Sequence, residues 1–195
     1  VFVRVGIATD LVTEGLRTEI RCEHLSAALG DGFAQIATSL STRRPVPVQF
    51  RVVHCLLANE GTAALLASTG PLPRSDQQTL VAWSGQRNVY RGFNTFWAIG
   101  TDDPIAMPDL IDFAAWQSRW GDAGETDVES GPIDWRLRWG DVRPAEVTPA
   151  EFSLQGTAES NHAIGGATDG RNLGADVPAL LQLGLGRRPA DDDES

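Results

Sequence analysis

Short runs of alternating apolar and polar residues recur along the first hundred residues at intervals of about thirty. Four similar segments form one series: Phe2-Val3-Arg4-Val5, Phe33-Ala34-Gln35-Ile36, Ala63-Ala64-Leu65-Leu66 and Phe96-Trp97-Ala98-Ile99. A second series lies between them, with copies beginning at Ile20, Phe50 and Trp83. A repeat of this length is typical of stacked units that bury a shared core only together.

Within each unit the periodicity predicts strands. Val46, Val48, Phe50 and Val52 alternate with polar residues and so share one face of a strand. The first hundred residues contain no segment with helical periodicity, which excludes the helical repeat classes, and a propeller blade needs a longer unit. We therefore expect an all-β chain whose coils stack as a parallel β-helix, with a β-sandwich as the alternative. The predicted internal columns are Phe2/Phe33/Ala63/Phe96 and Val5/Ile36/Leu66/Ile99.

The repeat weakens after residue 100, and the pattern changes. An apolar stripe predicts a short α-helix from Leu110 to Gly121, with Pro108 and Asp109 in its first turn. The interval Thr148–Glu151 has the spacing of a capping box, and Asp176 is placed to cap a second short helix. We divide the chain into coils at 1–100, a helix-containing insertion and irregular closing segment at 101–186, and a disordered acidic tail at 187–195.

Four tryptophans lie in the closing segment, where they are expected to cover the apolar end of the stack. They are Trp116, Trp120, Trp135 and Trp139. Each large apolar side chain that becomes fully buried contributes about 1.5–3 kcal/mol. A capping role therefore explains them better than a cofactor or sugar site.

Four stretches carry recognisable motifs: the strand pair at 79–97, with its W-x-G-x-x-N-x-Y and F-W elements, the D-x-x-A-W helix at 112–116, and the T-P-x-x-F and D-G-x-x-x-G-A-D motifs at 148–152 and 169–176. Together they resemble uncharacterised bacterial right-handed parallel β-helix proteins of the pectate-lyase-like class. The resemblance implies a right-handed β-helix closed by its C-terminal part, with other domains often preceding it. It implies no catalytic residue, because the group has no settled activity.

The amino-acid composition limits the kinds of partner that the chain can bind. The net charge of −10 argues against nucleic acid, and all sixteen basic residues are arginine. No apolar run is long enough for a transmembrane helix. Since the sequence starts at Val1 without a leader pattern, we expect an N-terminal domain ahead of it in a longer protein. The resemblance to β-helix proteins favours an extracytoplasmic or cell-surface location.

Candidate metal ligands are few, and we predict neither a metal nor a cofactor. The residue types Cys22, His24, His54 and Cys55 suggest a zinc site. Alternation along the strands, however, points their side chains to different faces. We therefore expect a stacked histidine pair and buried free thiols instead. The acidic loop at 122–129 and the pair Asp169 and Asp176 lack the spacing of a calcium loop.

The resulting functional hypothesis is a non-catalytic module that binds a polysaccharide or a protein through exposed side chains. The binding candidates are Arg87, Asn88, Tyr90, Arg91 and Asn94. The first alternative is a divergent polysaccharide lyase or glycoside hydrolase, with acids among Asp102, Asp103, Asp122 and Asp127. The second is a purely architectural end piece.

Overall fold

The computed structural model describes residues 2–7, 17–39, 46–103, 105–138 and 147–183. Its strands are β1 (Val3–Ile7), β2 (Thr18–Glu23), β3 (Ser26–Leu29), β4 (Ala34–Thr38), β5 (Val48–Val53), β6 (Leu56–Asn59), β7 (Leu66–Thr69), β8 (Val81–Gln86), β9 (Val89–Arg91), β10 (Trp97–Ile99), β11 (Asp109–Ile111), β12 (Glu125–Thr126) and β13 (Glu129–Ser130). Its helices are α1 (Arg74–Thr79), α2 (Phe113–Gly124) and α3 (Val177–Gln182), with a 3₁₀ turn at Pro149–Phe152. The fold is mostly sheet with little helix, as the sequence predicts.

The strands form three sheets, and successive stretches of chain add one strand to each sheet in turn. The first sheet has the order β1-β4-β7-β10-β11, the second β12-β8-β5-β2 and the third β13-β9-β6-β3. Every pairing is parallel except β10 with β11. Parallel neighbours argue against a β-sandwich, whose sheets are antiparallel. Strands β12 and β13 carry the stack to Ser130, well past the predicted end of the repeat.

The predicted columns are correct at the first coil boundary and wrong at the next. The rings of Phe2 and Phe33 stack with centroids 5.6 Å apart, and Val5 is in register with Ile36. Ile36 is then in register with Ser68 instead of Leu66. The connection from β6 to β7 contains six residues where that from β3 to β4 contains four, so the third copy is shifted by two. The second series keeps its predicted register, with Phe50 opposite Trp83.

The core between the sheets is a run of aromatic rings that ends against α2. The centroids of Phe50 and Trp83 lie 5.3 Å apart, and those of Trp83 and Trp116 lie 4.9 Å apart. Trp116 is fully buried on α2 and Trp120 packs partly buried beside it, so the expected burial of these two tryptophans is confirmed. Trp139 and the acidic tail lie outside the described residues.

Helix α2 begins three residues later than the sequence predicted. Asp109 and Leu110 belong to β11, because the chain there extends the first sheet antiparallel to β10. Asp112 is the N-cap, and its carboxylate accepts a hydrogen bond of 2.8 Å from the backbone N–H of Ala115. The predicted stop at Gly121 is a kink within the helix, which ends at Gly124.

The described residues after β13, at 131–138 and 147–183, form what we call the C-terminal segment. This segment covers the outer face of the third sheet. Leu56, Ala58 and Val89 project outward from that sheet and form a second apolar cluster with Trp135 and Leu173. Both predicted caps are confirmed: the Glu151 carboxylate accepts hydrogen bonds from Thr148, and the Asp176 carboxylate accepts from Ala179. Among the described residues, no helix has the length and apolarity needed to cross a bilayer.

Candidate functional site

The turns from the second sheet to the third place four polar residues at equivalent positions. His24, His54, Arg87 and Asp127 have φ angles of 50°, 56°, 50° and 51°. They are the residues that follow β2, β5, β8 and β12, and we call them the turn row. The left-handed region is uncommon for residues other than glycine, although His and Asp are enriched there. Its recurrence in each coil shows that the same tight turn is built four times.

The two histidines of the turn row face each other. Their ring centroids are 4.9 Å apart, and His54 Nδ1 lies 3.4 Å from His24 Nε2. This confirms that the two histidines pair across neighbouring strands, with their rings tilted by 54° and not stacked in parallel. His54 is only 6% exposed and His24 is half-buried. Burial, with help from the neighbouring His24, lowers the pKa of His54, which favours the neutral ring.

The C-terminal segment brings two further side chains to this pair. His54 Nε2 lies 3.2 Å from the backbone nitrogen of Thr168 and 3.1 Å from its hydroxyl oxygen. Asp169 Oδ2 lies 3.4 Å from His24 Nε2. The backbone N–H of Arg171 donates to Asp169 Oδ1 at 3.1 Å and is the main cause of a lowered pKa of that carboxyl. His24, His54 and Asp169 therefore offer three ligand atoms within 4.8 Å of one another.

The other half of the turn row also contacts the C-terminal segment. Arg87 Nη1 donates to the carbonyl of Gly166 at 2.7 Å, while its Nε lies 3.5 Å from Asp127 Oδ2. His24 lines a cleft of about 440 Å³ together with Arg171 and Asp176. The turn row is thus the place where the stack and the C-terminal segment meet through polar groups.

A buried carboxylate lies inside the stack, behind the turn row. Glu125 Oε1 accepts hydrogen bonds from Asn88 Nδ2 at 3.1 Å and from the Tyr90 hydroxyl at 3.0 Å. Trp116 Nε1 lies 3.4 Å from Glu125 Oε2, and Gly85 on the next strand leaves room for this side chain. Burial is the main cause of the raised pKa of Glu125. The surroundings are closed by aromatic rings, so this network is structural.

The five binding candidates do not form one surface. Asn88 and Tyr90 are fully buried in the glutamate network, whereas Arg87, Arg91 and Asn94 reach solvent. Arg91 pairs with Glu60 at 3.2 Å at the far end of β9 from Arg87. Four residue steps of extended chain from Arg87 to Arg91 span roughly 13 Å. In this conformation a ligand has access to three of the five, at opposite ends of β9.

The remaining candidates are also dispersed. Asp102 and Asp103 are exposed in the loop after β10, Asp127 pairs with Arg87, and the side chain of Asp122 lies outside the described part of the chain. Asp176 is the N-cap of α3, so it does not join Asp169.

The two cysteines are free and are not ligands of the histidine pair. Cys55 is buried and its thiol donates to the Val53 carbonyl at 3.2 Å, with burial raising its pKa to about 12. The sequence located the histidine pair through the repeat offset. It missed Asp169, which is more than a hundred residues away and carries no periodic signal.

No protein-family model, no curated protein and no solved structure gave a significant match to the chain. The resemblance to pectate-lyase-like β-helix proteins therefore stays a prediction.

Proposed function

We propose that this chain is a right-handed parallel β-helix that serves as a non-catalytic module and binds an acidic polysaccharide along the outer face of its second sheet. The parallel register that continues through three sheets supports the architecture. Right-handedness follows from the rule that parallel strands joined through a crossover almost always wind that way. A place in a larger extracytoplasmic or surface protein belongs to the same proposal and comes from the sequence resemblance.

The observation that carries the binding face is the pairing of Arg21 with Arg51. These residues are in register on β2 and β5, and both side chains are exposed. Neighbouring strands lie about 4.8 Å apart, so the two side chains leave the same face side by side. Arg21 Nη2 pairs with Glu19 Oε1 at 3.2 Å on that face, and Arg51 beside it adds a second guanidinium, which suits the planar carboxylate of an acidic sugar.

The surrounding face is polar and mixed in charge, since Glu19 and Glu23 are exposed on β2 on either side of Arg21. Gln49, Ser84 and Gln86 project from β5 and β8 beside the arginine pair, and they offer donors and acceptors for sugar hydroxyls. The third sheet has its outer face covered by the C-terminal segment and offers no comparable area. Arg87 follows β8 at the margin of the open face, so one of the sequence-predicted candidates lies beside it.

The alternative of a carbohydrate-active enzyme has less support. Glycoside hydrolysis requires two carboxyl groups about 5–10 Å apart across one bond. The exposed pair Asp102 and Asp103 follows β10 in the first sheet, whereas Asp127 is engaged by Arg87 at the turn after β12. These described acids do not converge on the open face, which supports binding without bond cleavage.

Affinity electrophoresis through gels containing polygalacturonate or neutral dextran tests the proposal. We expect polygalacturonate alone to retard the chain, and Arg51→Ala to weaken that retardation at least fivefold. Arg4→Ala is the matched control, since Arg4 is exposed on the first sheet. Because the chain carries a net charge of −10, unspecific attraction to a polyanion cannot explain retardation.

Equal retardation of the Arg51→Ala and Arg4→Ala variants would refute the assigned face. Release of reducing ends or unsaturated sugars from polygalacturonate during incubation would refute the non-catalytic role.

A further inference from the structure

We propose that His24 Nε2, His54 Nδ1 and Asp169 Oδ2 bind a divalent transition metal ion, with Zn²⁺ as the preferred ion and a water molecule at the fourth position. The inference is independent of the proposed polysaccharide binding. It rests on three features of the site: the spacing of the ligand atoms, the proton positions at the contact between His24 and Asp169, and the groups that orient the ligands.

The spacing matches a tetrahedral site. Zinc binds histidine nitrogen and carboxylate oxygen at about 2.0–2.1 Å, which places neighbouring ligand atoms of a tetrahedron about 3.3–3.4 Å apart. His24 Nε2 lies 3.4 Å from His54 Nδ1 and 3.4 Å from Asp169 Oδ2. The third edge, from His54 to Asp169, is no longer than 4.8 Å, so the exposed carboxylate of Asp169 would have to move toward His54 to complete the tetrahedron.

The proton positions leave the contact between His24 and Asp169 without a hydrogen bond. The backbone N–H of Thr168 donates to His54 Nε2 at 3.2 Å, so the proton of a neutral His54 ring lies on Nδ1 and faces His24 Nε2, 3.4 Å away. A neutral His24 that accepts this proton presents a lone pair to Asp169 Oδ2, which lies 3.4 Å from the same nitrogen. A metal ion would accept the facing lone pairs of His24 and Asp169, and it would bind His54 Nδ1 once the ring proton had moved to Nε2.

The site also has the outer groups that metal ligands need. Metal binding at His54 Nδ1 would move the ring proton to Nε2, where the hydroxyl of Thr168 at 3.1 Å can accept it in place of the backbone N–H of Thr168 that donates to Nε2 at 3.2 Å. The Arg171 backbone N–H holds the other oxygen of Asp169 at 3.1 Å. Two of the three ligands are therefore already oriented by neighbours.

The donor set selects the class of metal. Two imidazole nitrogens and one carboxylate suit zinc, cobalt, nickel and copper, whereas calcium and magnesium prefer oxygen ligands throughout. Three protein ligands leave a position open, and His24 lines the cleft next to the site. The metal would join β-turns at residues 24 and 54 to a loop at residue 169, and so fasten the C-terminal segment to the stack.

Isothermal titration of the metal-free, untagged chain with Zn²⁺ tests the assignment. We expect one ion per chain, and at least a tenfold loss of affinity in His24→Gln and in Asp169→Asn. Asn at position 169 keeps an oxygen for the Arg171 N–H, and the residue is exposed, so this variant tests binding even if substitution at His24 disturbs folding. His162→Gln is the matched control, because His162 is exposed, lies outside the cluster and is the third histidine of the chain.

Hydrogen exchange supplies a second readout. Zinc should slow amide exchange at residues 166–174 at least severalfold in the wild-type chain and leave it unchanged in Asp169→Asn. The proposal is overturned if Zn²⁺ does not bind with unit stoichiometry, if Asp169→Asn binds as tightly as His162→Gln, or if Ca²⁺ binds this cluster more tightly than Zn²⁺.

Discussion

Replacing Asn88 by alanine should lower the free energy of unfolding by about 3–5 kcal/mol. The Asn88 side chain is fully buried and accepts from the Cys55 backbone N–H at 2.9 Å. It donates to the Val52 carbonyl at 2.8 Å and to Glu125 Oε1 at 3.1 Å. A buried polar group that loses its partner costs about 1–3 kcal/mol, and the substitution affects three such groups at once. The loss is a large fraction of the roughly 5–15 kcal/mol by which domains are stable.

Urea unfolding followed by tryptophan fluorescence measures this loss. With an m-value of about 2–3 kcal/mol per molar, the midpoint should fall by about 1–2 M. Asn94→Ala is the matched control, because Asn94 is exposed, and it should change stability by less than about 0.5 kcal/mol. If the two variants unfold at the same urea concentration, Asn88 does not hold the turn together, and its role as a ligand-binding residue regains support.

Two further predictions address the interior and the tight turns. Burial raises the pKa of Glu125, so the stability that this group contributes is fully present below the ordinary carboxyl pKa of about 4.3 and is lost as pH rises through its folded pKa. The wild-type chain should therefore lose stability relative to Glu125→Gln as the pH is raised above about 4.3 in urea titrations, and a constant difference would contradict the assigned burial. Gly92→Ala should destabilise the chain by about 2–4 kcal/mol, because φ is +75° and a Cβ would lie 2.0 Å from the Asn59 carbonyl oxygen. Gly165→Ala has a similar φ of +69° with open space around it, so thermal unfolding should show only the strain of about 1–2 kcal/mol there, and equal losses would rule out the clash.

Periodicity predicted the sheet content because inward residues repeat along strands of constant length. It failed where the chain between strands changes length: the two extra residues between β6 and β7 moved Leu66 away from Ile36 without disturbing the apolar pattern. It also assigned Asp109 and Leu110 to a helix, since three residues of an edge strand are too short to show alternation. Local chemistry was more reliable at Thr148 and Asp176, because a cap depends only on residues three positions apart.

The candidate metal site could be predicted only in part. A repeat offset of thirty aligns His24 with His54, so their contact follows from the parallel pairing of β2 with β5. Their shared left-handed turn does not follow from strand alternation, which points the side chains of Cys22, His24, His54 and Cys55 to different faces. Asp169 reaches the pair only because an apolar cluster around Leu56 and Leu173 draws the C-terminal segment over the third sheet. Such a long-range contact has no local signature in the sequence.

Apolar burial and polar contacts make different contributions to that docking. The cluster around Leu56 and Leu173 favours contact between the C-terminal segment and the third sheet, but apolar attraction is non-directional and tolerates sliding. The turn row removes this freedom, since Arg87 binds the Gly166 carbonyl and His54 contacts Thr168 two residues later. Because the row changes from histidine to arginine to aspartate, a shift of the segment by one strand toward Asp127 would place Thr168 beside Arg87 and the Gly166 carbonyl beside the Asp127 carboxylate, which offers it no donor. The turn row therefore favours one position of the C-terminal segment along the third sheet. A metal ion held by His24, His54 and Asp169 would stabilise that position further.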